Sequence, residues 1–390
     1  MREVWIRGAA MTPFGKHRDR SARDLVEEAV TGALSDAEVA ASEVQFVYVA
    51  NALAGLIDGQ ECMRAQTVLR RTGLMGVPMV GVENADCSGS SALHLAWQAV
   101  AHEAYDCVAV VGYEKFDHGD RAKSYRALNS GMDLSELSDI FGPGSTDRSV
   151  LLQYGGAHSR GDGSDLFEPT PLAEVAVKNH YHASLNPCAH YREPVTAAQV
   201  LASRQIAGPL TQLMCAPLSD GAACVVVCAA QFATGRRGGA RIAASVLRSG
   251  RGDDLRAPLS LLPGAMRAYE AAALGPEDLN VAEVHDVTAI AELFVCGRLG
   301  FYRPGEVDRV MSERTTWLGG QLPVNPSGGL LARGHPLGAT GIAQVVELTW
   351  QLEGRCGPRQ VESARAALAH NFGGWIGTDV GAGVIHILVR

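Results

Sequence analysis

Cysteine and histidine are the residue types whose neighbours in this chain point most directly to chemistry. Cys87 lies in VENADCSGSSALHLAWQAV, after an apolar run that reads as a strand and at the first turn of a helix rich in Ser and Ala. Unpaired backbone N–H groups and the positive end of a helix dipole favour a thiolate there, which predicts a lowered pKa and a nucleophilic sulfur. Its small neighbours would let a substrate approach. His335 stands between Gly334 and Pro336, ahead of a second small-residue helix start, so its ring is expected to be held in place. His285, in EVHDVTAIAEL, ends a predicted strand, where open α/β sheets carry site residues.

Other candidates read more plainly. Cys107, Cys224 and Cys228 fall inside apolar runs and are expected to be buried structural thiols. His180, His182, Cys188 and His190 form a loose cluster, but no further ligand pattern supports a metal, and none is expected. GTDVGAG near Gly377 resembles a phosphate loop only superficially, because no strand-loop-helix context or lysine accompanies it. It reads as a turn before the last strand.

The elements that must position these residues alternate. VWIRGAAM reads as a strand, ARDLVEEAVTGALSDA as an amphipathic helix and VQFVYVANAL as a strand, followed by helix MRAQTVLRRTG and strand VPMVGVEN. The helix that opens at Cys87 and the strands CVAVVGYEK and DGAACVVVCAA complete a first pass, implying a largely parallel sheet covered on both faces. From ARIAASVLRSG, near Arg241, the same order of elements recurs without the same words, which predicts two similar layered halves, 1–235 and 236–390. Between about 115 and 210, Gly, Pro, Asp and His become frequent and periodicity weakens. That stretch reads as a loop domain over the site.

Composition fits an enzyme of this kind. A chain of 390 residues exceeds one ordinary core, and 47% apolar residues, 19% charged residues and 44 glycines suit an α/β body with many tight turns. The net charge of −8 carries no basic block, which excludes a nucleic-acid partner. Nine cysteines with no C-x-x-C pair argue against a disulfide or zinc framework. No run approaches the roughly 18 apolar residues of a membrane span, so a soluble, cytoplasmic protein is expected.

Taken together, the segment around Cys87, KNHYHASLNP from Lys178 to Pro187, LMCAPLSDGAA from Leu213 to Ala223, HDVT at His285 and the run from Asn325 to Gly341 resemble the thiolase superfamily, specifically the sterol-carrier-protein X type. The resemblance spans nearly the whole chain and is weakest from about 116 to 173. It implies a duplicated five-layer α-β-α-β-α architecture with a loop domain, and an acyl-CoA C-acyltransferase working through an acyl-cysteine. It implies that Cys87 accepts the acyl group and His335 takes its proton. His285 and His335 would form an oxyanion hole for a thioester enolate, and the backbone N–H groups of Cys87 and Gly373, in HNFGG, a second one. It also implies coenzyme A thioesters, with acyl carrier protein as the alternative carrier, no permanently bound cofactor, a homodimer, and for some relatives a small OB-fold partner protein. Where the family places a second catalytic cysteine, this chain has Val287 and Asn371. Neither side chain can move a proton as a thiol does, so a Claisen-type or decarboxylating condensing enzyme stands as the alternative reading.

Overall fold

Two long apolar runs that alternate for neither face explain the centre of the molecule. Every residue of Cys107–Glu114 and of Gly221–Ala229 is buried, as expected of strands covered on both sides. The computed structural model describes residues 1–116, 119–141, 168–233, 239–250, 261–303, 305–377 and 379–390. Much of the divergent segment between 116 and 173 therefore lies outside the described residues.

The main sheet has nine strands: β1 (Val4–Met11), β2 (Phe46–Ala50), β3 (Met79–Val82), β4 (Cys107–Glu114), β5 (Gly221–Ala229), β6 (Ala240–Ser249), β7 (Val281–Glu283), β8 (Ala366–Ile376) and β9 (Asp379–Val389). Their spatial order is β3-β2-β4-β5-β1-β6-β9-β8-β7. Among the described residues, the helices of eight or more residues are α1 (Ala22–Ala37), α2 (Ser88–Ala101), α3 (Arg121–Asn129), α4 (Leu134–Phe141), α5 (Pro169–Ser184), α6 (Leu261–Ala272), α7 (Ala289–Arg298) and α8 (Leu337–Glu353). Helix α1 begins at a capping box in which the Ser21 hydroxyl accepts from Asp24 N at 3.2 Å and Asp24 accepts from Ser21 N at 2.8 Å.

The expectation of a largely parallel sheet is overturned. Only β2–β3, β2–β4 and β7–β8 are parallel, whereas β1–β5, β1–β6, β4–β5, β6–β9 and β8–β9 are antiparallel. Alternation of strands and helices fixes that connections cross over the sheet, but not which strands end up adjacent. Here only residues 377 and 378 separate β8 from β9, and so short a connection can only return antiparallel.

Strands β1 and β6 meet only through Trp5 with Arg241 and Ile6 with Ala240, and the two flanks of the sheet fold over a shared middle layer. Helices α2 and α8 form that layer and contact strands from both flanks. Nearly every residue of α8 from Leu337 to Leu352 is buried. Helix α1 covers the outer face of β1, β4 and β5, and α6 and α7 cover the other outer face. The result is five layers, α-β-α-β-α, with the main core between the sheet flanks. Residues of α5 pack with Val200, Leu210 and Met214 against Ala289 and Ile290 of α7, placing this part of the chain over the end of the sheet where β7 stops.

Candidate active site

Three backbone devices converge on the start of α2. Asn84, Ala85 and Asp86 form a tight turn with Ala85 at φ 48°, and Cys87 N donates to Asn84 O at 3.2 Å. Strand β8 crosses this turn at Gly373, where an added Cβ would lie 2.6 Å from Cys87 N and 2.7 Å from Asp86 N. Only glycine allows that approach. The next residue, Gly374 at φ 66°, donates its N–H to Asp86 Oδ2 at 3.3 Å.

Cys87 caps α2 and is 0% exposed. Its thiol donates to Asn84 O at 3.1 Å, lies 3.8 Å from Ser91 Oγ, and packs against Ala382 and Val384 of β9. Among the described residues neither imidazole hydrogen-bonds the sulfur. Burial pushes the Cys87 thiol up to about 12, the Ser91 contact pulls down, and the Asp86 charge adds to the rise. The lowered pKa expected from the helix terminus is thus not found, because desolvation outweighs the dipole.

His335 enters from the segment before α8, where Gly334 at φ 109° lies against Ser219 and sets the ring's approach. Its Nδ1 is 2.7 Å from Thr340 Oγ1, and the Thr340 hydroxyl donates to Pro336 O at 3.0 Å. The hydroxyl proton being committed, Nδ1–H is the donor to Thr340. Nε2 is 2.9 Å from Asp86 Oδ1, so this contact holds one proton between imidazole and carboxylate.

His285 follows β7, with its ring centroid 5.3 Å from that of His335 at an 83° angle and 4.0 Å from Phe372. Asn371 Nδ2 donates to its Nδ1 at 2.9 Å, which leaves the proton on Nε2. Burial drives the His285 pKa well below its ordinary value, and the charge on His335 adds to the effect. The ring is therefore neutral. Asn371, at one position where the resemblance implies a cysteine, orients His285. Val287, at the other, lies half-buried, and its backbone carbonyl accepts from Ala216 N at 2.9 Å.

The structure thus brings His285 and His335 together beside the start of α2, with Cys87 at the end of the adjoining turn and Gly373 crossing over it from β8. It adds Asp86, which the sequence reading missed although the residue directly precedes the cysteine. Desolvation alone would raise the Asp86 pKa, but the His335 hydrogen bond and charge, with the Gly374 N–H, hold the carboxyl below the usual range. Asp86, His285 and His335 are the described residues that could hold a metal ion, their ligand atoms lying within 4.8 Å of one another. His182 is committed elsewhere, with Nδ1 donating to Asn325 O at 3.0 Å and Nε2 accepting from Leu318 N at 3.0 Å. His190 bonds Ser219 Oγ at 2.8 Å.

A buried polar frame steadies the histidine segments. Asp286, next to His285, accepts from Leu330 N at 2.7 Å and from Asn179 Nδ2 at 2.8 Å. Glu114 accepts from Leu53 N at 3.1 Å, Ala52 N at 3.1 Å and Gly338 N at 3.1 Å, tying the end of β4 to the first turn of α8. Trp375 N donates to Gly131 O at 2.8 Å, fixing the end of β8 against the segment between α3 and α4.

The family model "Thiolase, N-terminal domain" matches residues 4–231, and "Thiolase C-terminal domain-like" matches 253–386. The chain is 37% identical to acetyl-CoA acetyltransferase of Methanothermobacter thermautotrophicus over 100% of both chains. It is 31% identical to sterol carrier protein 2 of Rattus norvegicus over 95% of this chain and 70% of that one. Among solved structures, the Ltp2-ChsH2(DUF35) aldolase superposes with a TM-score of 0.81 at 22% identity, covering 100% of this chain and 98% of that chain.

Proposed function

We propose the following division of labour from the premise that the chain belongs to the thiolase superfamily and is an acyltransferase that makes or cleaves a carbon–carbon bond alpha to a thioester. Cys87 attacks the thioester carbonyl and carries the acyl group. As the carbon–sulfur bond forms, the bond from that carbonyl to the coenzyme A sulfur breaks, and the thiol proton is relayed to the departing sulfur by His335 Nε2 while Asp86 Oδ1 holds the proton they share, since a thiol held near 12 is barely ionised beforehand. The tetrahedral oxyanion is assigned to the backbone N–H groups of Cys87 and Gly373, a reading supported by the close passage of Gly373 over the turn; the Cys87 N–H must turn from Asn84 O to serve it. The Nε2–H of His285 is the donor assigned to the enolate of the second thioester, and His335 joins it once its Nε2–H turns from Asp86.

The observation that carries this reading is the convergence of two imidazoles from the β7 and α8 segments on the turn that bears Cys87. It is tested by intact-mass analysis after addition of acetyl-CoA or a panel of longer acyl-CoA thioesters. An adduct on the wild type that vanishes in Cys87→Ala is expected, whereas an undiminished adduct in Cys87→Ala would remove the nucleophile from the scheme.

Coenzyme A thioesters are the substrates this reading favours, since the relative of matching length is named for acetyl-CoA; acyl carrier protein is the alternative carrier. A biosynthetic condensing enzyme is the second reading, favoured by Val287 and Asn371 standing where an acid/base cysteine is expected. It predicts poor thiolysis of acetoacetyl-CoA and activity with a malonyl donor. Rapid cleavage of acetoacetyl-CoA by the wild type would remove it. An OB-fold partner is supported by the aldolase neighbour, in which Ltp2 is paired with ChsH2(DUF35), and co-purification from the native host tests it. A cytoplasmic location is supported by nine free cysteines. Among the described residues no helix is long and apolar enough to cross a membrane.

A further inference from the structure

Acyl transfer to Cys87 leaves a second task without an owner. The accepting thioester must lose a proton from its α-carbon before that carbon can attack the acyl group. Val287 has no titratable atom, and the Asn371 amide is engaged with His285 at 2.9 Å. His285 already accepts from Asn371 at Nδ1 and presents a protonated Nε2, which suits it to donate rather than to receive. Both nitrogens of His335 are likewise committed, Nδ1 to Thr340 at 2.7 Å and Nε2 to Asp86 at 2.9 Å. The remaining proton acceptor in the same cluster is a carboxylate. Asp86 is 9% exposed, its Oδ1 faces His335 Nε2 at 2.9 Å, its Oδ2 accepts only the longer 3.3 Å contact from Gly374 N, and it adjoins the nucleophile in the chain.

We propose that Asp86 is the general base and acid of the second half-reaction, taking the place of the cysteine that Val287 and Asn371 lack. The inference rests on the acyl-Cys87 reading above. The α-carbon–hydrogen bond breaks with its proton passing to Asp86 Oδ2 and its electron pair forming the enolate, whose oxygen accepts from His285 and His335. The enolate carbon attacks the acyl carbonyl, the bond from that carbonyl to Cys87 Sγ breaks, and the electron pair returns to sulfur. The proton on Asp86 then passes to the sulfur and restores the thiol. One proton leaves carbon and one arrives on sulfur, so no further reactant is needed. The His335 contact and the Gly374 N–H hold the Asp86 carboxyl below the usual range, so the group that meets the substrate is the carboxylate.

The test reads the two half-reactions separately on full-length wild type, Asp86→Asn and Asp86→Glu. Acylation is followed as adduct mass on Cys87 with acetyl-CoA, and enolisation as deuterium uptake at the α-carbon of acetyl-CoA in D2O. For Asp86→Asn the adduct should form within about tenfold of the wild-type rate while α-exchange falls by about a hundredfold or more. Exchange unchanged in Asp86→Asn would overturn the inference. So would joint loss of adduct and exchange, which would mark Asp86 as a group that only orients His335. Should Asp86→Asn fail to fold by circular dichroism, Asp86→Glu decides. Adduct with measurable exchange supports the role, and adduct without exchange overturns it. A wild type that forms no adduct removes the acyl-Cys87 reading itself, an outcome distinct from an adduct whose exchange ignores Asp86.

Discussion

A thiol whose pKa stands near 12 has about one part in a hundred thousand ionised at pH 7. For Cys87 the cause is burial, and the Asp86 carboxylate beside it adds like charge. Because the charged form is disfavoured in the folded state, the thiolate fraction climbs roughly tenfold for each pH unit from 7 to 10. Iodoacetamide alkylation of Cys87, followed by peptide mass mapping, should therefore rise steadily through pH 10. A small free thiol of pKa about 8.5 levels off by then. A plateau at Cys87 near neutral pH would show that the helix terminus prevails over desolvation. The outcome also marks what local sequence can reveal. Cys87 and His335 were legible because each sits beside small residues, glycine or proline at a helix start, and His285 because it ends a predicted strand. The direction of the thiol shift was not, since it depends on Ala382 and Val384 closing over the sulfur from β9, almost three hundred residues away in the chain. Asp86 was written directly before the cysteine, but its partner His335 lies 249 positions on.

At the scale of elements, small residues decide how closely the histidine segments approach α2. A Cβ on Gly112 of β4 would lie 2.2 Å from Gly338 O, one on Gly89 of α2 2.8 Å from the same oxygen, and one on Gly341 of α8 2.1 Å from Ser90 Oγ. The first turn of α8 is thus seated by backbone contact on β4 and α2, three residues after His335. Gly112→Ala must push that turn away, because the obstructing atom is backbone and cannot rotate aside. Overpacking of this kind costs about 1–3 kcal/mol. Displacing His335 by a fraction of an ångström should slow acylation of Cys87 by roughly tenfold or more. Thermal melts with adduct-formation rates check both parts, and a lowered melting temperature with an unchanged rate would separate the seating of α8 from the chemistry. The helix and strand segments themselves were largely legible from periodicity, as α1 and β1 illustrate. Strand direction was not. LPVNPSGG illustrates a further limit: it is apolar enough to suggest an element, yet only Val324 bridges to Ala282, and the segment runs as loop up to the short helix that opens at Gly329.

At the scale of the whole molecule, the sheet has two edges and they are treated differently. The outer side of β7 is covered by its own chain, with Ala282 N donating to Pro323 O at 3.0 Å and Asn325 N donating to Ala282 O at 2.8 Å. No described segment covers β3 in this way. Pro78 O and Val82 O accept from Val47 N at 3.0 Å and Asn51 N at 3.3 Å, so even-numbered residues face β2 and, by strand alternation, Met79 and Gly81 turn their backbone groups outward. Val80 is 42% exposed. An open edge of this kind invites pairing with another strand, and the homodimer that the family resemblance implies would satisfy it with the same strand of a second copy. Gly81→Pro removes one outward N–H while leaving the β2 bonds intact, and a Cβ at Gly81 meets nothing within 4 Å. Light scattering on the eluting peak should give twice the 41.2 kDa chain mass for the wild type and the single-chain mass for the variant. A variant that stays dimeric would move the interface away from β3.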